Sequence, residues 1–215
     1  MAVNDGVRQG GRSVRAANRR AEIIQAALEI ISERGYRGTS IAAVAERAGL
    51  TQQGLLHHFP GKEALMVAVL EARDQWDMAS AATKGDPWPL ETLAQLVEYN
   101  ATRSGVVQTF TVLAGDSVTE GHPAREFFEN RYEHVRTALA DSLRKEYGDH
   151  LAHGLTPERA APLLVAAMDG LQLQWLISPD IVDMPAAFRD FLALLAPQKD
   201  DDGRQPGEGS GLSDE

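Results

Sequence analysis

Apolar residues recur every three or four positions through most of the chain, and this spacing restricts the fold more than any other feature. One predicted helix carries Ile23, Ala27 and Ile31 on a single face, and similar stripes continue to about residue 196. Strands of alternating Val, Ile and Thr joined by hairpin turns are absent. The pattern therefore predicts an all-α fold of about nine helices. In the second half of the chain, glycine and proline place helices at about 88–103, 105–115, 123–147, 157–178 and 184–195.

Composition excludes several classes of protein. The chain has 215 residues, of which 43% are apolar, so it can bury the core of one large or two small domains. It contains no cysteine, which excludes disulfides, cysteine nucleophiles and thiolate metal sites and fits a reducing compartment. No apolar run approaches the roughly 20 residues of a membrane span, and the N-terminus lacks the apolar core of a signal peptide. We therefore expect a cytoplasmic protein that does not enter membranes.

Charge is distributed unevenly along the chain, although the net charge is -10. Residues 1–65 carry nine Lys and Arg against six Asp and Glu, whereas the remaining 150 residues carry 12 against 25. This asymmetry is typical of a basic contact region attached to an acidic body. Both ends are rich in charge and poor in apolar residues. We therefore expect a disordered basic arm at 1–18 and a disordered acidic tail at 197–215.

The most informative segment contains two short helices separated by a tight turn. Thr39 or Ser40 is suited to cap the first helix, and Gly49 can adopt the left-handed conformation that the turn needs. Thr51 can cap a second, very short helix that Pro60 ends. Two helices joined in this way form a helix-turn-helix unit, whose second helix enters the major groove of DNA.

Helical spacing separates an inward from an outward face on the second helix of this unit. Leu55 and Phe59 share the inward face. The outward face and its flank carry Gln52, Gln53, Leu56 and His57. A glutamine can pair with adenine through two hydrogen bonds, and an imidazole can donate to guanine or phosphate. By pattern alone, a polar surface helix in an ordinary helical bundle is an equal alternative to a DNA-reading helix.

A resemblance to a known family rests on residues 35–65, which read GYRGTSIAAVAERAGLTQQGLLHHFPGKEAL. This run resembles the DNA-binding signature of the tetracycline-repressor (TetR) family of bacterial transcriptional regulators. Members are all-α homodimers with an N-terminal helix-turn-helix domain and a variable C-terminal domain that binds an effector. The resemblance implies a DNA-binding domain at 19–64 and an effector-binding and dimerisation domain at 65–196. It implies DNA contacts at Ser40, Thr51, Gln52, Gln53, Leu56, His57, His58 and Lys62.

Two departures from the family pattern affect how the backbone of DNA would be bound. Leu56 stands where the family commonly has a tyrosine whose hydroxyl reaches that backbone. No Lys or Arg lies between Thr51 and Gly61, so phosphate affinity has to come from Lys62, Arg47 or the N-terminal arm. The arginines of that arm could enter a flanking minor groove, as homeodomain arms do, or could only keep the chain soluble.

The C-terminal part carries most of the aromatic residues, which at helical spacing form either a core or the walls of a cavity. The aromatic candidates for cavity walls lie on different helices and are Trp76, Tyr99, Phe110 and Phe128. Polar candidates for orienting a bound effector are Asn100, Arg103, Gln108 and Gln172. Each of these polar groups needs a hydrogen-bond partner if it is buried, and either an effector or another side chain can supply it.

Two late helices, at about 157–178 and 184–195, are apolar on more than one face, which implies a partner beyond the monomer core. They resemble the dimer helices of the family, and a two-fold dimer suits a palindromic operator in double-stranded DNA. Members of the family are most often repressors, so the resemblance implies that this protein is one. We expect a small-molecule effector to shift it to a form that no longer matches the operator. The helix at 62–80 links the two domains and is the expected path of that coupling.

Other functions find less support in the sequence. There is no phosphate-binding glycine loop, no GxSxG and no HExxH, so we expect neither an enzyme nor a cofactor. His150 and His153 could suit a metal by spacing, but they lie between glycines at a helix end, which favours a solvated connector. A helical adaptor that binds another protein is the alternative to a DNA-binding repressor, and it leaves the basic N-terminal region without a purpose.

Overall fold

The computed structural model describes residues 4–82 and 88–197, and within these ranges the chain is almost entirely α-helical. Its nine helices are α1 (Asn4–Gly38), α2 (Ile41–Arg47), α3 (Gln52–His58), α4 (Lys62–Ala82), α5 (Leu90–Ala101), α6 (Ser104–Asp116), α7 (Arg125–Tyr147), α8 (Pro157–Ile177) and α9 (Met184–Leu195). A single 3-10 turn, Ala152–Gly154, lies between α7 and α8. The prediction of an all-α fold of about nine helices is confirmed. From α5 onward, the helix bounds differ from the predicted ones by two residues at most.

The N-terminal segment differs from the expectation of a disordered arm, because α1 begins at Asn4. Residues 4–18 contain no proline and run directly into the first apolar stripe. Extending an existing helix costs much less than nucleating a new one, so this segment can join α1. The chain leaves helical geometry at Gly35, with φ 67°, where we expected the first helix to stop. The expected acidic tail lies outside the described residues from 198 onward.

Side-chain caps define the start of the two short helices. The Ser40 hydroxyl oxygen accepts a hydrogen bond from the Ala43 amide at 3.1 Å, at the start of α2. The Thr51 hydroxyl oxygen accepts from the Gly54 amide at 3.0 Å, at the start of α3. Both caps satisfy amide groups that the first turn of a helix leaves unpaired. Helices of seven residues are marginal alone, so burial of their apolar side chains in a core shared with α1 is what keeps them folded.

One apolar core joins the N-terminal helices to the rest of the molecule. We call residues 19–64 the headpiece and residues 65–196 the body. Ile23, Ile31 and Leu55 of the headpiece belong to the same buried cluster as Phe110 and Phe128 of the body. A second buried cluster lies wholly within the body and is built from α5, α7, α8 and α9. The headpiece is therefore held on the body by shared apolar burial, which is the dominant favourable term in folding.

Helix α8 has the length and composition of a membrane-spanning helix, contrary to our expectation that no segment would. Only 22% of its most apolar window is buried within the molecule. However, it also carries Asp169, whose carboxylate accepts a hydrogen bond from the Tyr132 hydroxyl of α7 at 2.7 Å. Body helices that expose an apolar face pass the same length and composition test, so the test alone is weak evidence for a span. What α8 does require is a partner for its exposed apolar face.

The closest approach between headpiece and body is made by α1 and α6. A Cβ atom added at Gly105 of α6 would lie 2.3 Å from the Ile31 carbonyl oxygen of α1, a distance that van der Waals radii forbid. Because that oxygen belongs to the backbone of a helix, it cannot move aside as a flexible side chain would. The two helices can pack in this way only while residue 105 has no side chain.

We predict that Gly105→Ala lowers the free energy of unfolding by about 1–3 kcal/mol, because the added methyl group would push α1 and α6 apart. Gly115→Ala in the same helix is the matched control, since a Cβ atom there meets nothing within 4 Å. The control should be neutral or stabilising by up to about 1 kcal/mol, because alanine favours helix over glycine. Urea denaturation followed by circular dichroism measures both variants. Equal stability of the two variants would contradict the described packing of α1 against α6.

Candidate functional site

Helix α3 has a buried face and an exposed face, as its spacing predicted. Leu55 and Phe59 are fully buried and anchor the helix to α1. Four exposed side chains form the opposite surface, and they are Gln52, Gln53, Leu56 and His57. His58 is half-buried at the end of the helix. The exposed surface combines amide and imidazole groups with one apolar side chain, which is a chemistry able to contact base edges in a major groove.

Two hydroxyl groups mark the edges of this surface. Ser40 and Thr51 are both exposed, and each uses its oxygen to accept the capping bond from its own helix. A hydroxyl that accepts one hydrogen bond can still donate its proton to a phosphate oxygen. Both residues therefore cap a helix while keeping a donor for an external anion.

Arg47, one of the expected sources of phosphate affinity, is engaged with the acidic side chains of α1. Its guanidinium group lies 3.1 Å from a carboxylate oxygen of Glu29 and 2.8 Å from one of Glu33. The bond to Arg47 lowers the pKa of Glu33, and the bond to Glu33 raises the pKa of Arg47. This pairing ties α2 to α1, so a phosphate would have to compete with two carboxylates for the guanidinium.

Lys62, the other expected phosphate contact within the headpiece, also has a contact inside the molecule. Its ammonium group donates to the Tyr36 carbonyl oxygen at 2.7 Å and lies 4.1 Å from the centre of the Tyr36 ring. Partial burial lowers the pKa of Lys62. The contact joins the start of α4 to the chain just after the break at Gly35. The structure thus gives Lys62 a positioning role that the sequence did not predict.

Arg20 and Arg19 bind backbone carbonyl groups of the helix-turn-helix unit, which sequence reasoning missed. Arg20 donates to the His58 carbonyl oxygen at 2.6 Å, and its guanidinium carbon lies 4.2 Å from the centre of the Phe59 ring. Arg19 donates to the Ala48 carbonyl oxygen at 3.5 Å. These carbonyls stand at or just beyond the ends of α3 and α2, where a cation is favoured. Two of the five arginines among the first 20 residues therefore hold the unit in place.

Gln108, expected to orient an effector, lies instead at the boundary between headpiece and body. Its side-chain carbonyl oxygen accepts a hydrogen bond from the Tyr36 amide at 3.1 Å. The carbonyl group of the same residue, Tyr36, accepts the hydrogen bond from Lys62. The sequence marked Gln108 as a polar candidate but could not show that this part of α6 meets the headpiece. The chain at Tyr36 is consequently fixed by one residue of α4 and one of α6.

The body contains a cavity of about 510 Å³, here called the inner cavity, between α4, α5, α7 and α8. Three expected residues contribute to its walls, namely Asn100, Phe110 and Gln172. The Asn100 side-chain oxygen accepts a hydrogen bond from Arg73 at 2.8 Å, so this buried amide already has a partner within the protein. The rest of the wall is largely apolar and includes Trp88, Leu93, Leu96, Phe127, Val135, Leu139, Val165 and Met168. Apolar walls with few polar groups are typical of small-molecule sites.

A second cavity of about 720 Å³, the outer cavity, lies between α6, α7 and α8. The expected residue Phe128 contributes to its wall. Phe110, Asp169 and Gln172 line both cavities and so form a common wall between them.

Three further candidates do not line either cavity. Trp76 is 79% exposed and Tyr99 is 53% exposed, and neither side chain is among the residues that line the two cavities. The Arg103 guanidinium lies 3.7 Å from the centre of the Tyr99 ring and donates to Asn100 at 3.2 Å. The structure thus places these three residues outside the two cavities, because helical spacing assigns a residue to a face and does not show which neighbour covers that face.

The polar network of the cavities was missed at the sequence level. Arg131 of α7 donates to Asp74 of α4 at 2.7 Å and lies over the Phe110 ring. Tyr132 donates to Asp169, and burial raises the pKa of both groups. One signal could have identified Asp169, which is an acidic residue inside an otherwise apolar stretch of α8.

The histidines considered as metal ligands do not form a cluster. His150 and His153 are exposed beside the 3-10 turn. Among the residues that the structure describes, no group of three or more His, Asp or Glu side chains is placed to hold a metal ion.

Comparison with known proteins identifies the family. Residues 23–69 match the profile of bacterial regulatory proteins, tetR family, and residues 90–197 match that of the BetI-type transcriptional repressor, C-terminal. The transcriptional regulator BetI of Paraburkholderia phymatum is 32% identical over 191 residues, covering 84% of this chain and 94% of that protein. The regulator TtgR of Pseudomonas putida is 29% identical over 189 residues, covering 79% of this chain and 85% of that protein.

Solved structures share the fold. NalD of Pseudomonas aeruginosa superposes with a TM-score of 0.57 at 23% identity, covering 84% of this chain and 98% of that one. FadR of Thermus thermophilus superposes with a TM-score of 0.56 at 19% identity, covering 89% of this chain and all of that one. The exposed second helix of a helix-turn-helix unit, carried on a helical body, defines a DNA-binding transcriptional regulator and not an enzyme. The chain belongs to the tetR family of bacterial regulatory proteins, with a BetI-type C-terminal domain. The expected family is confirmed, and the adaptor alternative is set aside.

We predict that Lys62→Ala lowers the free energy of unfolding by about 1–2 kcal/mol, because it removes the hydrogen bond to the Tyr36 carbonyl and the contact with the ring. Arg37→Ala is the control, since Arg37 is an exposed cation in the same segment and should change stability by less than about 0.5 kcal/mol. Chemical denaturation measures both variants. If Lys62→Ala is as stable as the control but binds DNA less tightly, Lys62 is a phosphate contact and not a positioning residue.

Proposed function

We propose that this regulator is a homodimeric repressor that binds a palindromic operator and is released from it by a small-molecule effector. The observation that carries the proposal is the surface of α3, where four side chains able to meet bases are exposed above a fully buried anchor. The curated relatives and the repressor NalD support this function. As a bacterial transcriptional regulator, the protein acts in the cytoplasm, where the DNA is.

Base recognition falls to the glutamines of α3. Gln52 and Gln53 lie at the start of the helix, where helix-turn-helix proteins place the side chains that contact base edges. Either amide can form two hydrogen bonds with an adenine, while Leu56 offers only an apolar contact, as to a thymine methyl group. His57 can donate to a guanine or a phosphate. Ser40 and Thr51 supply hydroxyl donors for the flanking phosphates.

The remaining phosphate affinity comes from the N-terminal segment in this proposal. Arg19 and Arg20 are bound to carbonyl groups of the helix-turn-helix unit. Arg15, which lies closer to the N-terminus of α1, is exposed. A basic helix that leaves the headpiece can follow the phosphates beside the operator. This assignment replaces the flexible arm that we expected with a helical one.

A second copy of the chain covers the apolar face of α8 in the proposed dimer. Leu163, Leu173 and Ile177 are exposed on α8, and Leu194 is exposed on α9. An apolar stripe of this kind is unusual on an isolated monomer and typical of a subunit interface. A two-fold dimer presents two copies of α3 to two half-sites about one helical turn apart. The same partner accounts for the low burial of α8 without a membrane.

The effector occupies the inner cavity in this proposal. Its aromatic and aliphatic walls suit an apolar small molecule, and Arg131 and Asp74 add a polar side. NalD is described as the secondary repressor of a multidrug efflux pump, and FadR was crystallised with lauroyl-CoA. Ligands with extended apolar parts are therefore reasonable first candidates for this cavity.

Two helices can transmit the state of the cavity to the headpiece. Helix α4 runs from Lys62, which holds Tyr36, to Arg73 and Asp74 in the cavity wall. Helix α6 carries Gln108 at the Tyr36 amide and Phe110 in the cavity wall. An effector that favours another arrangement of these helices would shift the dimer away from the form that matches the operator. The expected path through α4 is thus joined by a second path through α6.

We predict that Gln53→Ala relaxes base preference, because it removes an amide that can pair with a base edge. Footprinting on DNA upstream of the protein's own gene, with and without candidate effectors, provides the operator and tests release. Fluorescence anisotropy with single-base variants of that operator should then show a loss of about tenfold or more in discrimination at one base pair. Gln25→Ala, an exposed glutamine on α1, is the matched control and should leave discrimination unchanged. Failure to footprint any upstream DNA, or unchanged discrimination in Gln53→Ala, would contradict the proposed reading surface.

A further inference from the structure

Two residues that line the outer cavity carry buried polar atoms without a hydrogen-bond partner in the described part of the chain. The Gln172 side-chain oxygen and the Thr111 hydroxyl oxygen are both buried, and neither has a hydrogen-bond partner among the described residues. Gln172 itself is 6% exposed. Both residues line the outer cavity. Leaving such groups unpaired costs about 1–3 kcal/mol each, so a ligand whose donors reach these atoms would gain binding free energy.

A carboxylate stands beside these atoms. Asp169 precedes Gln172 by three residues on α8, so the two side chains share a face of the helix. The Asp169 carboxylate accepts a hydrogen bond from Tyr132, and burial raises the pKa of Asp169 although Arg131 acts in the opposite direction. This wall therefore presents an incompletely solvated carboxylate and an amide oxygen, both of which accept hydrogen bonds.

The rest of the outer cavity supplies aromatic surface and a charged mouth. The Phe110 and Phe128 rings pack edge to face with their centres 5.3 Å apart. At the mouth, Arg125 pairs with Glu129 at 2.9 Å, so this arginine is already neutralised by a neighbour. Glu133 and Arg136 add one charge of each sign. The cavity therefore combines an apolar interior with acceptors at its inner wall.

We propose that the outer cavity is a second ligand site, which binds a protonated primary or secondary amine with an aromatic or apolar tail. The ammonium group donates to the Gln172 oxygen and the Asp169 carboxylate, and the Thr111 hydroxyl completes its coordination. The tail lies against Phe110 and Phe128. A cation that carries N–H groups satisfies the amide oxygen and the carboxylate together, which neither an anion nor a quaternary ammonium can do.

This site goes beyond the proposed function, because ligand binding in the outer cavity requires neither an operator nor release from one. The common wall of Phe110, Asp169 and Gln172 nevertheless places its occupant in contact with the inner cavity. An amine in the outer cavity is consequently expected to change the affinity of the inner cavity for its own ligand.

The test uses four probes that share a phenyl ring and differ in the group at the end of a short chain. These are 2-phenylethylammonium, its N,N,N-trimethyl analogue, 3-phenylpropanol and 3-phenylpropanoate. Isothermal titration calorimetry with the full-length protein should show the primary ammonium binding about tenfold or more tightly than each of the others, because only it supplies a charged donor. Equal affinity for the ammonium and its trimethyl analogue, or no binding of the ammonium, would overturn the proposal.

Cavity-filling variants locate the probe. Gly115 lines only the outer cavity, and a Cβ atom there meets nothing within 4 Å, so Gly115→Leu can fill the cavity without a clash. Ala138→Leu fills the inner cavity and is the matched control. We expect Gly115→Leu to abolish binding of 2-phenylethylammonium and Ala138→Leu to retain it. The reverse result would place the amine in the inner cavity and overturn the assignment.

Two substitutions test the acceptors. Gln172→Leu and Thr111→Val remove polar atoms while keeping much of the side-chain volume, and they should weaken ammonium binding about tenfold and severalfold respectively. Their melting curves serve as the folding control, and because both atoms lack partners, neither variant should lose stability. Full affinity in Gln172→Leu would show that this oxygen does not bind the amine.

Discussion

The contact between α1 and α6 is the constraint on which the rest of the structure depends. The backbone of α1 at Ile31 lies so close to Gly105 that no side chain fits between the two helices. This approach allows Ile31 and Phe110 to share one buried cluster, so that the headpiece and the body have a common core. The exposed surface of α3 is therefore carried by a headpiece that packs directly on a helix of the body.

Two polar contacts at the boundary between headpiece and body meet at one residue, Tyr36. The Tyr36 amide is bound by Gln108 of α6, and its carbonyl is bound by Lys62 of α4. Both helices continue into the walls of the inner cavity, through Phe110 and Arg73. A change in the spacing of α4 and α6 around a ligand must therefore pass to the chain between α1 and α2. In the tetR family the N-terminal domain binds DNA, so these contacts connect the DNA-binding domain to the body.

Features that depend on local spacing could be predicted from the sequence. The capping roles of Ser40 and Thr51 and the buried face of α3 follow from residues a few positions apart. Features that depend on distant contacts could not. Arg20 and the His58 carbonyl are 38 residues apart, and their contact has no local signature. Trp76 was a candidate for a cavity wall, yet it is exposed because, among the described residues, no other helix covers it.

Native-state hydrogen exchange tests most directly whether headpiece and body are one cooperative unit. The amides of Ile30 and Ile31 in α1 should open with the same free energy, and the same dependence on denaturant, as those of Thr109 and Phe110 in α6. That result is expected because these residues share one buried cluster or flank it. Opening of the α1 amides at a free energy several kcal/mol below that of α6 would contradict the account, since the headpiece would then unfold while the body stayed intact.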